Sequence, residues 1–183
     1  MNLNTKVLAL TGSLRAKSTN KGLLRFAQAN APDGMQIDVA DLTDIPFYNA
    51  DITDPAEQVL HLLSQFGAAD AFIFCGPEYN YSIAPAMKNA IDWASRAKDN
   101  ALLGGKAAAL MGSGGGMGTS RAQYHMRQVC VFIDVHPLNK PEVFANAFAG
   151  GFDADGNLTD IKIQDGIKQQ LIALGAWSQQ LRK

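Results

Sequence analysis

Charge of either sign is nowhere in excess. Across 183 residues, 16 Lys and Arg stand against 17 Asp and Glu, a formal net charge of −1. Nucleic acid and acidic lipid are bound by clustered surpluses of Lys and Arg, so no nucleic-acid partner and no membrane partner is expected. The same balance speaks against a strongly acidic electron carrier that docks by charge. Cysteine is nearly missing: Cys75 and Cys130 sit in the apolar runs DAFIFCG and RQVCVFI, form no C-x-x-C pair, and have only three scattered histidines for company. Neither a disulfide framework nor a metal site is supported. Two buried, reduced thiols are expected instead, as in a reducing compartment. No apolar run is long enough to span a bilayer, and the start, MNLNTKVLALTGS, lacks the basic opening of a secretory signal. It reads as a first strand, and a cytoplasmic location is expected. No G-x-x-x-x-G-K-[ST] string occurs, which argues against nucleotide hydrolysis of the Walker type.

The composition is that of a globular protein, 47% hydrophobic and 18% charged. The length suits one domain, residues 1–183, with no repeat, linker or low-complexity segment. Lys6–Thr11 (KVLALT), Asp70–Gly76 (DAFIFCG) and Lys106–Met111 (KAAALM) are continuous apolar runs, the pattern of strands buried on both faces. Gln36–Asp41 alternates and adds a second strand; Glu142–Asn146 adds a fifth. Between them lie helical stretches: one to about Asn30, one begun by Asp54-Pro55 as cap and first helical residue, one from about Ala86 to Lys98, and one through about Ile133. In the last helix Ile163, Ile167, Leu171, Leu174 and Leu181 share a face. Strict alternation of strand and helix predicts a doubly wound α/β domain, with a five-stranded parallel sheet in the order 2-1-3-4-5 and helices on both faces.

In such a sheet a ligand sits beyond the carboxyl ends of the strands, where the winding reverses, between the first and third strands. The loops there are Gly12–Asn20 and Pro77–Ser82, with Gly112–Gly118 beside them, and they are the chemically richest loops of the chain. The first offers hydroxyls at Ser13, Ser18 and Thr19, the Asn20 amide and the Arg15 guanidinium, and it opens a helix whose first N–H groups are free. That set suits a phosphate, each charge-assisted hydrogen bond contributing roughly 1.5–3 kcal/mol. A plain N-cap at Ser18 and a solvated Arg15 are the structural alternative. GSGGGMG follows a strand but lacks the G-x-G-x-x-G spacing. Either its glycines admit a flat ligand close to the backbone, or the loop is merely flexible.

The strings GSLRAKSTN, PEYNYSIAPAMKNAIDWASR and GSGGGMG together resemble the NADPH-dependent FMN reductase family, which includes quinone, chromate and azo-dye reductases. The resemblance covers most of the chain; Met87 takes the place of a leucine usual in the second string. It implies a flavodoxin-like fold holding flavin mononucleotide (FMN) without a covalent bond. It implies Ser13, Arg15, Ser18, Thr19 and Asn20 around the phosphate, Pro77, Glu78, Tyr79 and Asn80 along the isoalloxazine, and Ser113 and Gly114 at its far end. It implies NADPH or NADH as co-substrate and a small-molecule electron acceptor. It also implies a homodimer or homotetramer through the helices after strands three and four. The stretch RAQYHMRQVCVFIDVHPLNKPE looks like that of tetrameric members, with Tyr124 and Glu142 as partners across an interface.

From the residues alone, Pro77 and Pro85 stiffen a loop whose N–H groups from Glu78 to Asn80 are free unless it forms a strand. The Glu78 carboxylate is given no role, Tyr79 either packs beside the ring or is structural, and Met87 and Trp93 belong to core or interface. His125 and His136 are expected to be structural or surface residues, and Asp92 with Arg96 a surface pair one turn apart. Hydride transfer to a flavin needs reacting atoms roughly 3–3.5 Å apart rather than a dedicated acid or base, so no catalytic side chain is expected. A ping-pong cycle is expected, in which NADPH reduces FMN and leaves before a quinone or similar acceptor takes both electrons at the same face. The alternatives are a non-enzymatic flavodoxin-like electron carrier, which would not oxidise NAD(P)H directly, and a flavin-binding regulatory module without turnover. A nucleotide-binding enzyme of another class would retain ATP or NAD and no FMN.

Overall fold

Apolar strands with no polar face must be covered on both sides, and the chain does this with two helical layers. The computed structural model describes residues 4–182; Met1–Leu3, read as leading into the first strand, lie outside them. In chain order the elements are β1 Thr5–Thr11, α1 Thr19–Ala29, β2 Met35–Val39, α2 Glu57–Ala68, β3 Ala71–Cys75, β4 Glu78–Tyr79, β5 Ser82–Ile83, α3 Pro85–Arg96, β6 Ala107–Gly114, α4 Ser120–Phe132, β7 His136–Pro137, β8 Val143–Asn146 and α5 Ile161–Leu181.

Strands β2, β1, β3 and β6 are neighbours in that order, all parallel. The expected fifth place beside β6 is shared by two short segments. β7 pairs with Ala107–Ala108, and β8 with Met111–Gly114. Pro137 and Pro141 explain the split: proline donates no ladder hydrogen bond and is tolerated at a sheet edge. The order 2-1-3-4-5 therefore holds for the core of this flavodoxin-like sheet.

Alternate residues of each strand enter different cores. Leu8, Leu10, Phe72, Phe74, Ala108 and Leu110 pack under α2, α3 and α4, against Phe66, Ile91 and Met126. Val7, Ala9, Ile73, Cys75, Ala109 and Met111 pack under α1 and α5, against Leu23, Leu24, Ile167 and Leu171. Both cysteines are free and buried. Burial raises both thiols' pKa, that of Cys130 to about 12.

Two boundaries differ from expectation. α2 is not started by Asp54-Pro55: Ala56 is the cap, with ψ 153 and no side-chain bond, so the chain stays extended past Pro55. β6 runs three residues past Met111, because Gly112, Ser113 and Gly114 pair with Phe144, Ala145 and Asn146.

Candidate active site

Three turns meet at the carboxyl ends of β1, β3 and β6, where the winding of the sheet reverses.

The first follows β1. Ser18 caps α1, its Oγ accepting from Lys21 N–H at 3.4 Å, so the capping reading of that side chain is realised. The N–H groups of Thr19 and Asn20 have no acceptor among the described residues, which leaves the positive end of the helix open. Arg15 is exposed and forms no ion pair among the described residues. Ser13 is buried.

Asn20 requires a correction. Its amide does not face the loop. Nδ2 donates to Ser113 O at 2.9 Å, and Oδ1 accepts from Ser113 N–H at 2.8 Å, both residues being buried. β3 ends at Cys75, opposite Met111. Beyond that point the backbone of β6 has no strand on this side, and the Asn20 amide supplies the missing pairing. The Asn20 backbone N–H is left for a ligand.

The second turn, Pro77–Ile83, is not an open loop. Glu78 pairs with Ile83 and Tyr79 with Ser82 in a two-stranded hairpin. Its central residues Asn80 and Tyr81 have φ of 49° and 65°, the signature of a type I′ turn. Asn tolerates that region; for Tyr81 it costs on the order of 1–3 kcal/mol. The hairpin is held from α4. The Glu78 carboxylate, only 5% exposed, is ion-paired with Arg121 and accepts from Arg121 Nε at 2.6 Å. It also accepts from the backbone N–H groups of Arg121 and Ala122, at 3.1 and 3.2 Å. It thus caps α4, whose own cap residue Thr119 makes no such bond. The hydrogen bond to Glu78 raises the Arg121 pKa further. The guanidinium lies 3.7 Å from the centroid of the Tyr81 ring, and a His125 ring nitrogen lies 3.0 Å from Ser82 Oγ. The carboxylate, for which the sequence alone suggests no role, therefore fixes the hairpin to the helix after the glycine loop. Tyr79 is left partly exposed.

The third turn leaves β6 at Gly114 and closes through a Gly115–Gly118 bridge. A Cβ at Gly115 or Gly116 would meet nothing within 4 Å. Ser113 Oγ is buried without a hydrogen-bond partner, which is costly unless a ligand or water supplies one.

Support comes from α3. Asn89 accepts from Tyr48 N–H at 2.8 Å and donates to Pro46 O at 2.9 Å; Trp93 Nε1 donates to the same carbonyl at 2.8 Å. Met87 is core. Asp92 pairs with Lys88, not Arg96, with Nζ 2.6 Å away; both cations are one turn from it, and Arg96 turns instead towards the Phe132 ring. A cavity of about 340 Å³ beside the first turn is lined by Thr11, Ser13, Lys21, Asp41 and Thr43. Hydrogen bonds from Thr43 hold the Asp41 pKa below its usual value. A larger groove of about 930 Å³ lies at the far edge of the sheet, between β8 and α5, and shares no lining with the three turns.

The model of the NADPH-dependent FMN reductase family matches residues 5–150. Over the full length of both chains, the protein is 49% identical to an NAD(P)H-dependent FMN reductase of Pseudomonas aeruginosa. It is 36% identical, again over both full lengths, to a quinone reductase of Escherichia coli K12. Among solved structures it is similar to FerB, a flavoenzyme NAD(P)H:(acceptor) oxidoreductase of Paracoccus denitrificans, with a TM-score of 0.86 and 31% identity, over 96% of this chain and 98% of that one. On these matches, and with the three turns where such a sheet binds its ligand, the chain belongs to the NADPH-dependent FMN reductase family.

Proposed function

We propose that this protein is an FMN-dependent NAD(P)H oxidoreductase that passes two electrons, by ping-pong hydride transfer, to quinones or similar small oxidants, with chromate and azo compounds among the acceptors. The observation that carries the reading is the unsatisfied polar set at the switch point. Among the described residues, the N–H groups of Thr19 and Asn20 have no acceptor, exposed Arg15 has no ion-pair partner, and buried Ser113 Oγ has no hydrogen-bond partner; all belong to the turns or strand end at this rim of the sheet, where Gly115 and Gly116 leave their surroundings open. A phosphorylated flat ring system seated there would offer acceptors to these N–H groups and to Arg15, so the residues fit FMN. In this reading Arg15, the Ser13 and Ser18 hydroxyls and the two N–H groups hold the phosphate. Pro77, the backbone of Glu78, Tyr79 and Asn80 border the ring on one side, and Ser113 and Gly114 on the other. When bound, FMN supplies the hydride chemistry. The chain's own residues position it and leave one face accessible, and no side chain is needed as acid or base.

In the same reading residues 1–183 form a single domain acting in the cytoplasm, where two free thiols are at home. The domain pairs as a homodimer or homotetramer. Tyr124, Val131 and Phe132 support this by exposing apolar surface along α4. Glu142 is ion-paired with Lys140 of its own chain, so a bond from Tyr124 of another copy would have to share that carboxylate.

The test is a stopped-flow experiment on purified protein loaded with FMN. Mixing with NADPH bleaches the flavin absorbance within seconds, and adding a quinone restores it. A flavin that stays yellow through the mixing refutes the assignment.

A further inference from the structure

Behind the first turn lies a further one, outside the three at the rim and built from residues beyond those matched by the family model. Asp153–Asn157 is closed by its own hydrogen bonds. Asp153 Oδ1 accepts from the N–H groups of Asp155 and Asn157 at 2.9 and 2.8 Å, Oδ2 accepts from Asn157 Nδ2 at 2.9 Å, and Gly156 N–H donates to Asp153 O at 3.0 Å. These bonds hold the Asp153 pKa below the usual carboxylate value, with Asn157 the main cause. A Phe152–Leu158 bridge closes the base, and Leu158 is anchored in the core under α1.

This turn meets the start of α1 backbone to backbone. A Cβ on Gly22 would fall inside the Gly156 carbonyl oxygen, and a Cβ on Gly156, whose φ is 77°, would lie 2.9 Å from Lys17 O. Arg25 Nε donates to Asn157 Oδ1 at 2.8 Å, and Lys17 Nζ lies 2.9 Å from Asp155. Lys17 and Ser18 are the residues immediately before the open N–H groups of Thr19 and Asn20. A shift of a few tenths of an ångström there changes their aim, and hydrogen bonds weaken quickly with misalignment.

We infer that the Asp153–Asn157 turn is a positioning element for the phosphate end of the flavin, setting affinity for FMN over riboflavin without touching either. This rests on the proposed reading of Ser13–Asn20 as the phosphate loop. Gly156 and Asn157 are positioning residues. Gly156 allows the close approach, and Asn157 joins the turn to Arg25 on the face of α1.

The experiment titrates flavin-free protein with FMN and with riboflavin, following quenching of flavin fluorescence, for wild type, Gly156→Ala and Asn157→Ala. Gly156→Ala raises the FMN Kd about ten-fold, and Asn157→Ala raises it about three-fold, while the riboflavin Kd of both stays within about two-fold of wild type. Asn157→Ala leaves the positive-φ position intact, so it reports even if Gly156→Ala does not fold. Equal losses for both flavins, or no loss for either, overturn the proposal. Wild type that binds the two flavins alike overturns the phosphate-loop reading beneath it, and the role of the Asp153–Asn157 turn with it.

Discussion

Replacing Glu78 by alanine removes four hydrogen-bonded or ionic contacts at once, and the structure indicates which of them matter. Two are N–H groups at the start of α4, at 3.1 and 3.2 Å. Losing an N-cap costs about 0.5–2 kcal/mol. The other two are to the Arg121 guanidinium, and that side chain is 39% exposed. Water can take over there, so the larger cost of stranding a buried charge does not apply. Truncation should cost about 2 kcal/mol, which for a domain of this size is a fall in Tm of about 4–8 °C. Glu78→Gln separates the two contributions. The amide oxygen can still accept from the α4 N–H groups, so this variant should fall by about half as much.

Differential scanning calorimetry at neutral pH reads the order wild type, Glu78→Gln, Glu78→Ala. If Glu78→Gln melts at or below Glu78→Ala, the ion pair rather than the cap carries the interaction. If Glu78→Ala melts within about 2 °C of wild type, the clamp contributes nothing to the fold and the reasoning fails. Affinity supplies a second readout. In the proposed site the hairpin borders the ring, which FMN and riboflavin share, so loosening it should weaken both by the same factor. That is the opposite signature to the one expected from the Asp153–Asn157 turn.

Asn20→Ala should be costlier, because it leaves the buried N–H and C=O of Ser113 unpaired. A loss of about 3 kcal/mol is expected, or about 6–12 °C in Tm. Arg15→Ala should leave Tm unchanged, since the side chain is exposed and makes no ion pair among the described residues. It should raise the FMN Kd about ten-fold, an effect that shrinks as salt is added in an equilibrium titration. Iodoacetamide at pH 8 should label neither cysteine in the native protein and both after denaturation. Both thiol pKa values are raised above the ordinary 9.0, so the folded state favours the protonated form. The resulting stability is complete below pH 9 and declines as the pH climbs above it, which a Cys75→Ala, Cys130→Ala double variant should flatten.

The sheet was legible because its physics is local. Residues of β3 such as Ala71–Cys75 are buried on both faces, so every position is apolar and the run stands out without any knowledge of its neighbours. The sharing of the fifth place by β7 and β8 was signalled only by Pro137 and Pro141. The extension of β6 was hidden, because Gly-Ser-Gly has little intrinsic preference for a strand. It becomes one through pairing with Phe144–Asn146 and through the Asn20 amide. The hairpin was hidden for a related reason. A type I′ turn is advertised by Asn-Gly, and here the second position is Tyr81, in a conformation tyrosine does not favour by itself.

These misses share a cause. The composition of each turn reports what chemistry it offers, here hydroxyls, a guanidinium and glycines, and that much is visible locally. The shape of each turn is imposed from another. Asn20 of the first holds the backbone of the third, and Glu78 of the second caps the helix that follows the third. These partners are separated by 93 and 44 residues, so no local window contains both. A rim assembled this way behaves as one unit: a substitution in any turn should be felt by ligand groups that the turn itself does not border. Combining Asn20→Ala with Glu78→Ala therefore tests the assembly. Neighbours that share a structural unit depart from additivity by about 0.5–3 kcal/mol. If the two losses in Tm simply add, the turns are independent and the rim is only a coincidence of three loops.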